Sequence, residues 1–144
     1  MHFLTEKLPL LGLFLFCFMS ATIIPISSEA ALAAYLSQTN ALWLAFFVAS
    51  AGNVLGIILN YWLGYGLDQW SEHRFIKIRE SMKKVHSYSE KYGTWALLFS
   101  GLPIIGDPIT ILAGYVKINF WIFLLIAGMI RIARYFVILQ FFVP

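Results

Sequence analysis

Residues 41–67 read ALWLAFFVASAGNVLGIILNYWLGYGL and contain no charged side chain. At 1.5 Å per residue, a helix of this length measures about 40 Å, which exceeds the roughly 30 Å of hydrocarbon in a bilayer. Asn40 can cap the start of such a helix, and Asp68 is the first charged residue after it. The stretch therefore predicts a transmembrane helix.

The composition also indicates a membrane protein. The 144 residues are 60% hydrophobic and 12% charged, and their mean hydropathy of +0.79 is beyond that of ordinary soluble domains. Six of the ten basic residues lie between Arg74 and Lys91 among acidic neighbours, which is typical of a membrane-flanking loop and excludes a nucleic-acid surface. Cys17 is the single cysteine, so an internal disulfide is excluded. We expect one membrane domain over 1–144.

Two further apolar regions contain helix-breaking residues. Residues 8–24 are uncharged and end at Pro25; a cleaved signal peptide is the alternative for this segment, but nothing after it resembles a secreted domain. The region 93–116 is rich in glycine and proline, which a straight spanning helix does not tolerate cheaply. We predict hairpin regions at 8–36 and 93–116, and a second transmembrane helix at 118–142.

The segment 68–92 is predicted to be an amphipathic connector. Phe75, Ile78 and Met82 recur at helical spacing, and basic residues lie largely between them. The basic excess places this connector on the cytoplasmic side. An amphipathic helix of this kind can lie on the bilayer surface, and a solvated helical connector between spans is the alternative.

A short repeat predicts the architecture. Pro25-Ile-Ser-Ser-Glu29 and Pro103-Ile-Ile-Gly-Asp107 share the pattern Pro-Ile-x-x-acid, and each is followed by an apolar stretch and a spanning helix. We predict an all-α integral membrane protein of two inverted repeats, each a re-entrant hairpin plus a transmembrane helix, joined by the connector. The alternative is a four-span bundle in which the two prolines kink complete helices.

Four ionisable residues lie at or near membrane depth: Glu29, Asp107, Arg131 and Arg134. A charge in hydrocarbon is costly, so such groups usually face a cavity or one another. We expect Glu29 and Asp107 to bind a proton, a cation or a polar headgroup. Arg131, nearer the middle of the last helix, is the arginine predicted to pair with an acid. Snorkelling of the arginines to an interface is the alternative.

Small and amide residues share one stripe of the 41–67 helix. Gly52, Gly56 and Gly64 recur every four or eight positions, which predicts close helix packing. Asn53 and Asn60 lie on or beside this stripe, and we expect them to bond across helices or to line a polar cavity.

Catalysis is poorly supported by the residues present. The histidines lack any metal-ligand spacing, and the serines near Pro25 have no histidine at membrane depth to activate them. We therefore predict no enzyme activity, no metal and no cofactor.

Several segments together resemble the DedA (VTT domain, SNARE-associated) membrane family, and most closely its short YqaA-like branch. They are Ser20–Glu29, Gly52–Gly56, Tyr92–Asp107, Ala113-Gly114 and Arg134-Tyr135. The resemblance implies paired re-entrant hairpins, a multi-pass location in the bacterial inner membrane, and the movement of lipids or lipid carriers such as undecaprenyl phosphate between leaflets, with proton coupling. The residues expected at the two hairpin turns are Pro25, Ser28, Gly101, Pro103, Gly106 and Pro108.

The chain departs from the family pattern in its second hairpin. Members of the family place arginines flanking the hairpin proline, where this chain has Ser100 and Gly106. Arg131 and Arg134 can supply that positive charge from the last helix.

The predicted function is a lipid or lipid-carrier translocator, a flippase or scramblase type of activity that supports membrane homeostasis. A proton- or ion-coupled carrier of small solutes is the alternative. The expected partners are membrane lipids (phospholipid or polyprenyl phosphate) and protons or cations, without nucleic acid. The sequence is also compatible with a homo-oligomer.

Overall fold

A computed structural model of the chain describes residues 2–22, 27–71, 92–101 and 106–144. Every regular element in these ranges is helical, which confirms the predicted all-α class. In chain order they are α1 (His2–Thr22), α2 (Ser28–Leu36), α3 (Leu42–Ser71), helical residues 92–96 followed by a 3-10 segment (Leu97–Gly101), α4 (Gly106–Tyr115) and α5 (Phe120–Gln140). The connector predicted for 68–92 lies mostly outside the described residues, and its first four residues continue α3.

Two helices are long and apolar enough to cross a membrane. Their apolar stretches are Leu42–Gln69 in α3 and Phe120–Gln140 in α5, each with a mean hydropathy of 2.1. Outward-facing side chains of α5 are large and apolar, and Leu125 and Met129 remain 62% and 63% exposed. Lipid-facing helices expose such surfaces, whereas soluble proteins rarely expose contiguous apolar patches. The two long apolar helices predicted around 41–67 and 118–142 are thus present.

The starts of α2 and α5 follow from local capping. Ser27 caps α2, since its Oγ accepts a hydrogen bond from the N–H of Ala30 over 3.2 Å. Asn119 caps α5 in the same way, because its Oδ1 accepts from the N–H groups of Trp121 at 3.0 Å and Ile122 at 3.4 Å. These contacts satisfy amides that have no partner within the first helical turn.

The end of α4 is a Schellman motif. Ile118 N–H donates to the carbonyl of Ala113, and Lys117 N–H donates to that of Gly114, both over 3.0 Å. This geometry needs a left-handed residue, and Lys117 takes that role with φ 56°. The Lys117 ammonium lies 2.7 Å from the Asp68 carboxylate. The ion pair therefore holds the end of α4 against the last part of α3.

The chain forms two compact units. The first unit is Met1–Gly56 with Arg131–Pro144, and the second is Ile57–Ile130. The core of the first unit combines α1, α2, the first half of α3 and the last part of α5, with Cys17, Leu32, Ala45 and Leu139 at its centre. The core of the second unit surrounds Ile57, Leu97, Ala113 and Phe123.

Within the first unit, α1 runs beside α3 in the same direction. A Cβ atom built on Gly52 would meet the backbone of Phe14, and one built on Gly56 would meet Ala21. Only glycine allows the two backbones this close. Since Phe14 and Ala21 follow the same order as Gly52 and Gly56, α1 ends near the middle of the apolar stretch of α3.

Candidate functional site

The acid of the first repeat lies at the start of α2. Glu29 is the second residue of this helix, where the helix dipole favours a negative charge. The hydroxyl of Ser27 donates to Oε2 of Glu29 over 3.0 Å. The cap residue thus serves both the helix backbone and the carboxylate.

Glu29 forms an ion pair with Arg134 of α5. The two side chains keep 26% and 28% of their surface exposed, so the pair is reachable from outside the packed core. The prediction that an acid at membrane depth pairs with an arginine holds for Glu29, but its partner is Arg134 and not Arg131, the arginine preferred from depth alone. Glu29 and Arg134 are the pair brought together by the packing of α2 on α5.

A buried hydrogen-bonded group, here called the polar cluster, consists of Ser28, Asn53, Arg131 and Tyr135. Arg131 Nη1 donates to Oδ1 of Asn53 over 2.9 Å. The Nδ2 of the same amide donates to the hydroxyl of Tyr135 over 2.9 Å and to Oγ of Ser28 over 3.5 Å. Asn53 therefore connects α3 with α5 and α2, as the sequence predicted for an amide on this stripe.

The polar cluster has little access to the surface. Its members are 2% to 7% exposed, and burial of unpaired polar groups would cost several kcal/mol each in hydrocarbon. The amide orientation follows from chemistry, since a guanidinium has only donors and must face the amide oxygen. The amide nitrogen then faces the Tyr135 and Ser28 oxygens, which accept. The cluster holds the Arg131 cation in a defined position.

The acid of the second repeat is placed in a comparable way at the start of α4. Asp107 is the second residue of α4, as Glu29 is of α2, and it is half-buried. The hydroxyl of Thr110 donates to the backbone carbonyl of Asp107 over 2.7 Å and accepts from Nδ2 of Asn60 over 3.0 Å. Asn60 thus bonds across helices to Thr110, the fifth residue of α4.

The predicted turn residues have different outcomes. Pro25 and Pro103 lie outside the described residues. Ser28 opens α2 and joins the polar cluster. Gly101 ends the 3-10 segment, and Gly106 opens α4 with no room for a side chain, because a Cβ atom would overlap the carbonyl of Ser100.

Pro108 lies in the first turn of α4, where its missing N–H removes no helical hydrogen bond. It therefore fits the start of a helix after a break and does not interrupt one.

Two members of the site were not expected from the sequence. Tyr135 lies four residues after Arg131 and so on the same face of α5, and this spacing was the available signal. Thr110 lies three residues after Asp107, one turn along α4. Both hydroxyls complete the bonding of an asparagine. Among the described residues no group of three His, Cys, Asp or Glu side chains is arranged to hold a metal ion.

Comparison with known proteins identifies the family. A family model described as the VTT domain matches residues 13–143. The chain belongs to the VTT domain (DedA) family. The resemblance noted in the sequence is thereby confirmed.

Relatives in this family include inner membrane proteins. The chain is 34% identical over 120 residues to inner membrane protein YqaA of Escherichia coli (strain K12), which covers 81% of this chain and 78% of YqaA. It is also 34% identical over 127 residues to membrane protein YkoX of Bacillus subtilis (strain 168), covering 82% of this chain and 56% of YkoX. No solved structure matches at a comparable significance. These relatives and the apolar helices confirm the predicted location in the bacterial inner membrane.

Proposed function

We propose that this VTT domain protein moves a phosphate-bearing lipid, either a phospholipid or a polyprenyl phosphate, between the leaflets of the inner membrane. The observation that carries the proposal is the Glu29–Arg134 ion pair beside the buried Arg131. Two guanidinium groups one turn apart on α5, one of them paired with Glu29, form a site for a single anionic headgroup at membrane depth.

The two arginines have different parts in this proposal. Arg131 is bonded to Asn53 and buried, so it supplies a positive charge that stays in place. Arg134 is bound to Glu29, and the partial exposure of both side chains lets a phosphate compete for the guanidinium. Guanidinium groups bind phosphate oxygens through paired N–H donors. A carboxylate partner keeps the guanidinium oriented until a phosphate replaces it.

A proton gives the site a reversible step. When Glu29 is ionised, it occupies Arg134; when Glu29 takes up a proton, the attraction between them falls and the guanidinium turns to the phosphate. Loss of the proton restores the ion pair and releases the headgroup. Coupling to a proton gradient follows if the headgroup is bound on one side and released on the other.

We also propose that both predicted hairpins are re-entrant. For the first, α1 runs along α3 only as far as Gly56, which at 1.5 Å per residue lies about 21 Å from Leu42. Residues 9–16 of α1 and residues 38–41 after α2 line one common cleft. The part of α1 that precedes this cleft and the end of α2 therefore lie toward the same side, which supports entry and exit of this hairpin at one side.

For the second hairpin, the support is the ion pair between Asp68 and Lys117. Asp68 lies at the end of the α3 span, just before the basic connector, and Lys117 lies just after the 93–116 region. A segment that starts after the connector and ends beside Asp68 returns to the side on which it began. This matches a hairpin and not a full crossing.

The test is leaflet exchange by purified protein in vesicles. The probes are a fluorescent phosphatidylglycerol, a fluorescent polyprenyl phosphate and an uncharged fluorescent diacylglycerol analogue, each measured with and without a pH gradient. We expect protein-dependent exchange of a phosphate-bearing probe, and loss of most of it in Glu29→Gln and Arg134→Gln. Leu125→Met, a change on the lipid-exposed face of α5, is the matched control and should retain exchange.

The alternative function, a proton- or ion-coupled solute carrier, gives a different result. No probe lipid would exchange, while an imposed pH gradient would dissipate faster in the presence of protein and of a small solute. Wild-type exchange in both charge variants would remove the ion pair from the mechanism.

A further inference from the structure

A cleft of about 730 Å³ lies within the first unit, among α1, α2 and the start of α3. This volume is within the roughly 300–1,000 Å³ typical of small-ligand sites. It is separate from the polar cluster, because none of Ser28, Asn53, Arg131 or Tyr135 lines it. Glu29 and Arg134 do not line it either. The cleft is therefore separate from the proposed headgroup site.

The lining of the cleft changes along its length. Leu10, Leu13 and Phe16 of α1 form an apolar wall, whereas Gln38, Thr39 and Asn40 form a polar rim where α3 is about to begin. None of the described lining residues is charged. The rim lies at the end of α3 where the apolar stretch starts, so the polar groups sit at interface level and the wall extends into the hydrocarbon depth.

The rim offers neutral hydrogen-bonding groups. Thr39 Oγ1 accepts from the N–H of Ala41 over 3.1 Å, and its hydroxyl carries a proton to donate. The Gln38 amide nitrogen donates to the carbonyl of Ala34 over 3.2 Å, which leaves the amide oxygen turned away from that bond. Neutral donors of this kind suit ester carbonyls, and the described rim has no cation to favour a charged phosphate.

Gly12 is the glycine of α1 that lines the cleft. A Cβ atom built on Gly12 would meet no heavy atom within 4 Å. By contrast, Gly52 and Gly56 are needed for close packing of α1 on α3. Gly12 therefore contributes open space to the cleft instead of a helix contact.

We propose that this cleft binds one acyl chain of a membrane phospholipid, with the ester region of the lipid at the Gln38–Asn40 rim. The gradient from neutral polar rim to apolar wall matches the gradient from ester to acyl chain in a lipid at the same depth. The absence of charge from the described lining favours this part of the lipid over its headgroup. Binding here does not depend on transport, so this proposal stands or falls separately from the translocator function.

The experiment is photocrosslinking of the purified full chain in phosphatidylethanolamine vesicles. One probe lipid carries a diazirine in the acyl chain and a second carries it on the headgroup, and the labelled peptides are located by mass spectrometry. We expect the acyl probe to label residues 9–16 more strongly than the exposed face of α5, and the headgroup probe to leave residues 9–16 unlabelled.

Filling the cleft should block the acyl probe. We expect Gly12→Leu to lower labelling of residues 9–16 about tenfold, equivalent to about 1.4 kcal/mol, and Gly12→Ala to have a smaller effect in the same direction. Gly66→Leu is the matched control, since a Cβ on Gly66 in the second unit also meets no heavy atom within 4 Å. It should leave labelling unchanged, and thermal unfolding in detergent should show that all three variants are folded.

Three results would overturn the proposal. Equal labelling in Gly12→Leu and wild type would show that the cleft is not the binding site. Labelling as strong on α5 as on residues 9–16 would indicate general contact with bilayer lipid. Disulfide-linked dimers of Gly12→Cys in a Cys17→Ser background would place a second copy of the chain at the cleft. If the acyl probe also labels residues 9–16 of the wild-type protein only after the protein is diluted, the cleft belongs to that second copy.

Discussion

Arg131 donates through Nη1 to Oδ1 of Asn53 over 2.9 Å, and so links residues 78 positions apart in the chain. The contact sets the orientation of the amide and thereby the bonds of Tyr135 and Ser28. It also makes the cation of Arg131 part of the packing between α3 and α5. Changes at Asn53 or Tyr135 should therefore act mainly on stability, whereas changes at Arg131 or at the Glu29–Arg134 pair should affect both stability and exchange.

Asn53→Leu should destabilise the protein more than Tyr135→Phe. Leucine removes the acceptor of Arg131 and the donor to Tyr135 together, and leaves buried polar groups that cost about 1–3 kcal/mol each. Tyr135→Phe removes one acceptor, while Asn53 Nδ2 still reaches Ser28. Thermal unfolding in detergent would measure both variants. Equal stability losses would mean that the bond to Arg131 adds nothing to the cluster.

The Glu29–Arg134 pair can be measured by a double-mutant cycle. Glu29→Gln and Arg134→Gln should each lower the unfolding free energy by about 1–3 kcal/mol, a range between those of exposed and fully buried ion pairs. Each single change leaves one charge uncompensated at membrane depth. The double variant should be more stable than the sum of the two losses predicts. Additive losses would show that the two side chains act independently.

Arg131 offers a comparison for this cycle. Glu29→Gln combined with Arg131→Ala should give little or no rescue, because Glu29 pairs with Arg134. Rescue of the same size as with Arg134→Gln would assign the acid to both arginines and would contradict the pairing described above.

The stability cost of replacing a glycine in the second unit should depend on its position. A Cβ atom on Gly114 would overlap the carbonyl oxygen of Tyr61, and backbone atoms cannot move aside cheaply. We expect Gly114→Ala to cost about 1–3 kcal/mol, the usual range for overpacking. Gly66→Ala should be neutral or stabilise by up to about 1 kcal/mol through helix propensity. Unfolding midpoints in one detergent would compare the two, and a loss at Gly66 as large as at Gly114 would argue against the close approach of α3 and α4.

Composition and periodicity were sufficient to predict the long apolar helices. The predicted 41–67 helix starts one residue before α3, but α3 continues to Ser71 because Asp68, Gln69 and Trp70 do not break a helix. Pro-Ile-x-x-acid was also informative, since each acid is the second residue of a short helix. For Glu29 this position follows from local signals, because the cap Ser27 precedes the acid by two residues.

The pairing of charges could not be predicted from depth alone. Arg131 and Arg134 are three residues apart, so both lie on similar faces of α5, and the partner of Glu29 is decided by where α2 packs along α5. Asn53 was expected to bond across helices, but its partners Tyr135 and Ser28 depend on the rotation of each helix about its axis. Hydrophobic pattern gives no information on rotation of a helix that is apolar on all sides.

The last prediction concerns the side of the membrane on which the second hairpin ends. In a Cys17→Ser background, Gln69→Cys and Val116→Cys should react with a membrane-impermeant maleimide from the same side, because Asp68 and Lys117 form an ion pair 2.7 Å long. Gln38→Cys, before the start of the α3 span, should react from the opposite side. Cys17 is buried, so its replacement leaves the exposed surface unchanged and makes each introduced cysteine the single thiol of the chain. If Val116→Cys reacts instead from the side of Gln38→Cys, the region 93–116 crosses the membrane completely. The four-span bundle would then replace the inverted repeat, and Asp68 and Lys117 would lie too far apart to form an ion pair.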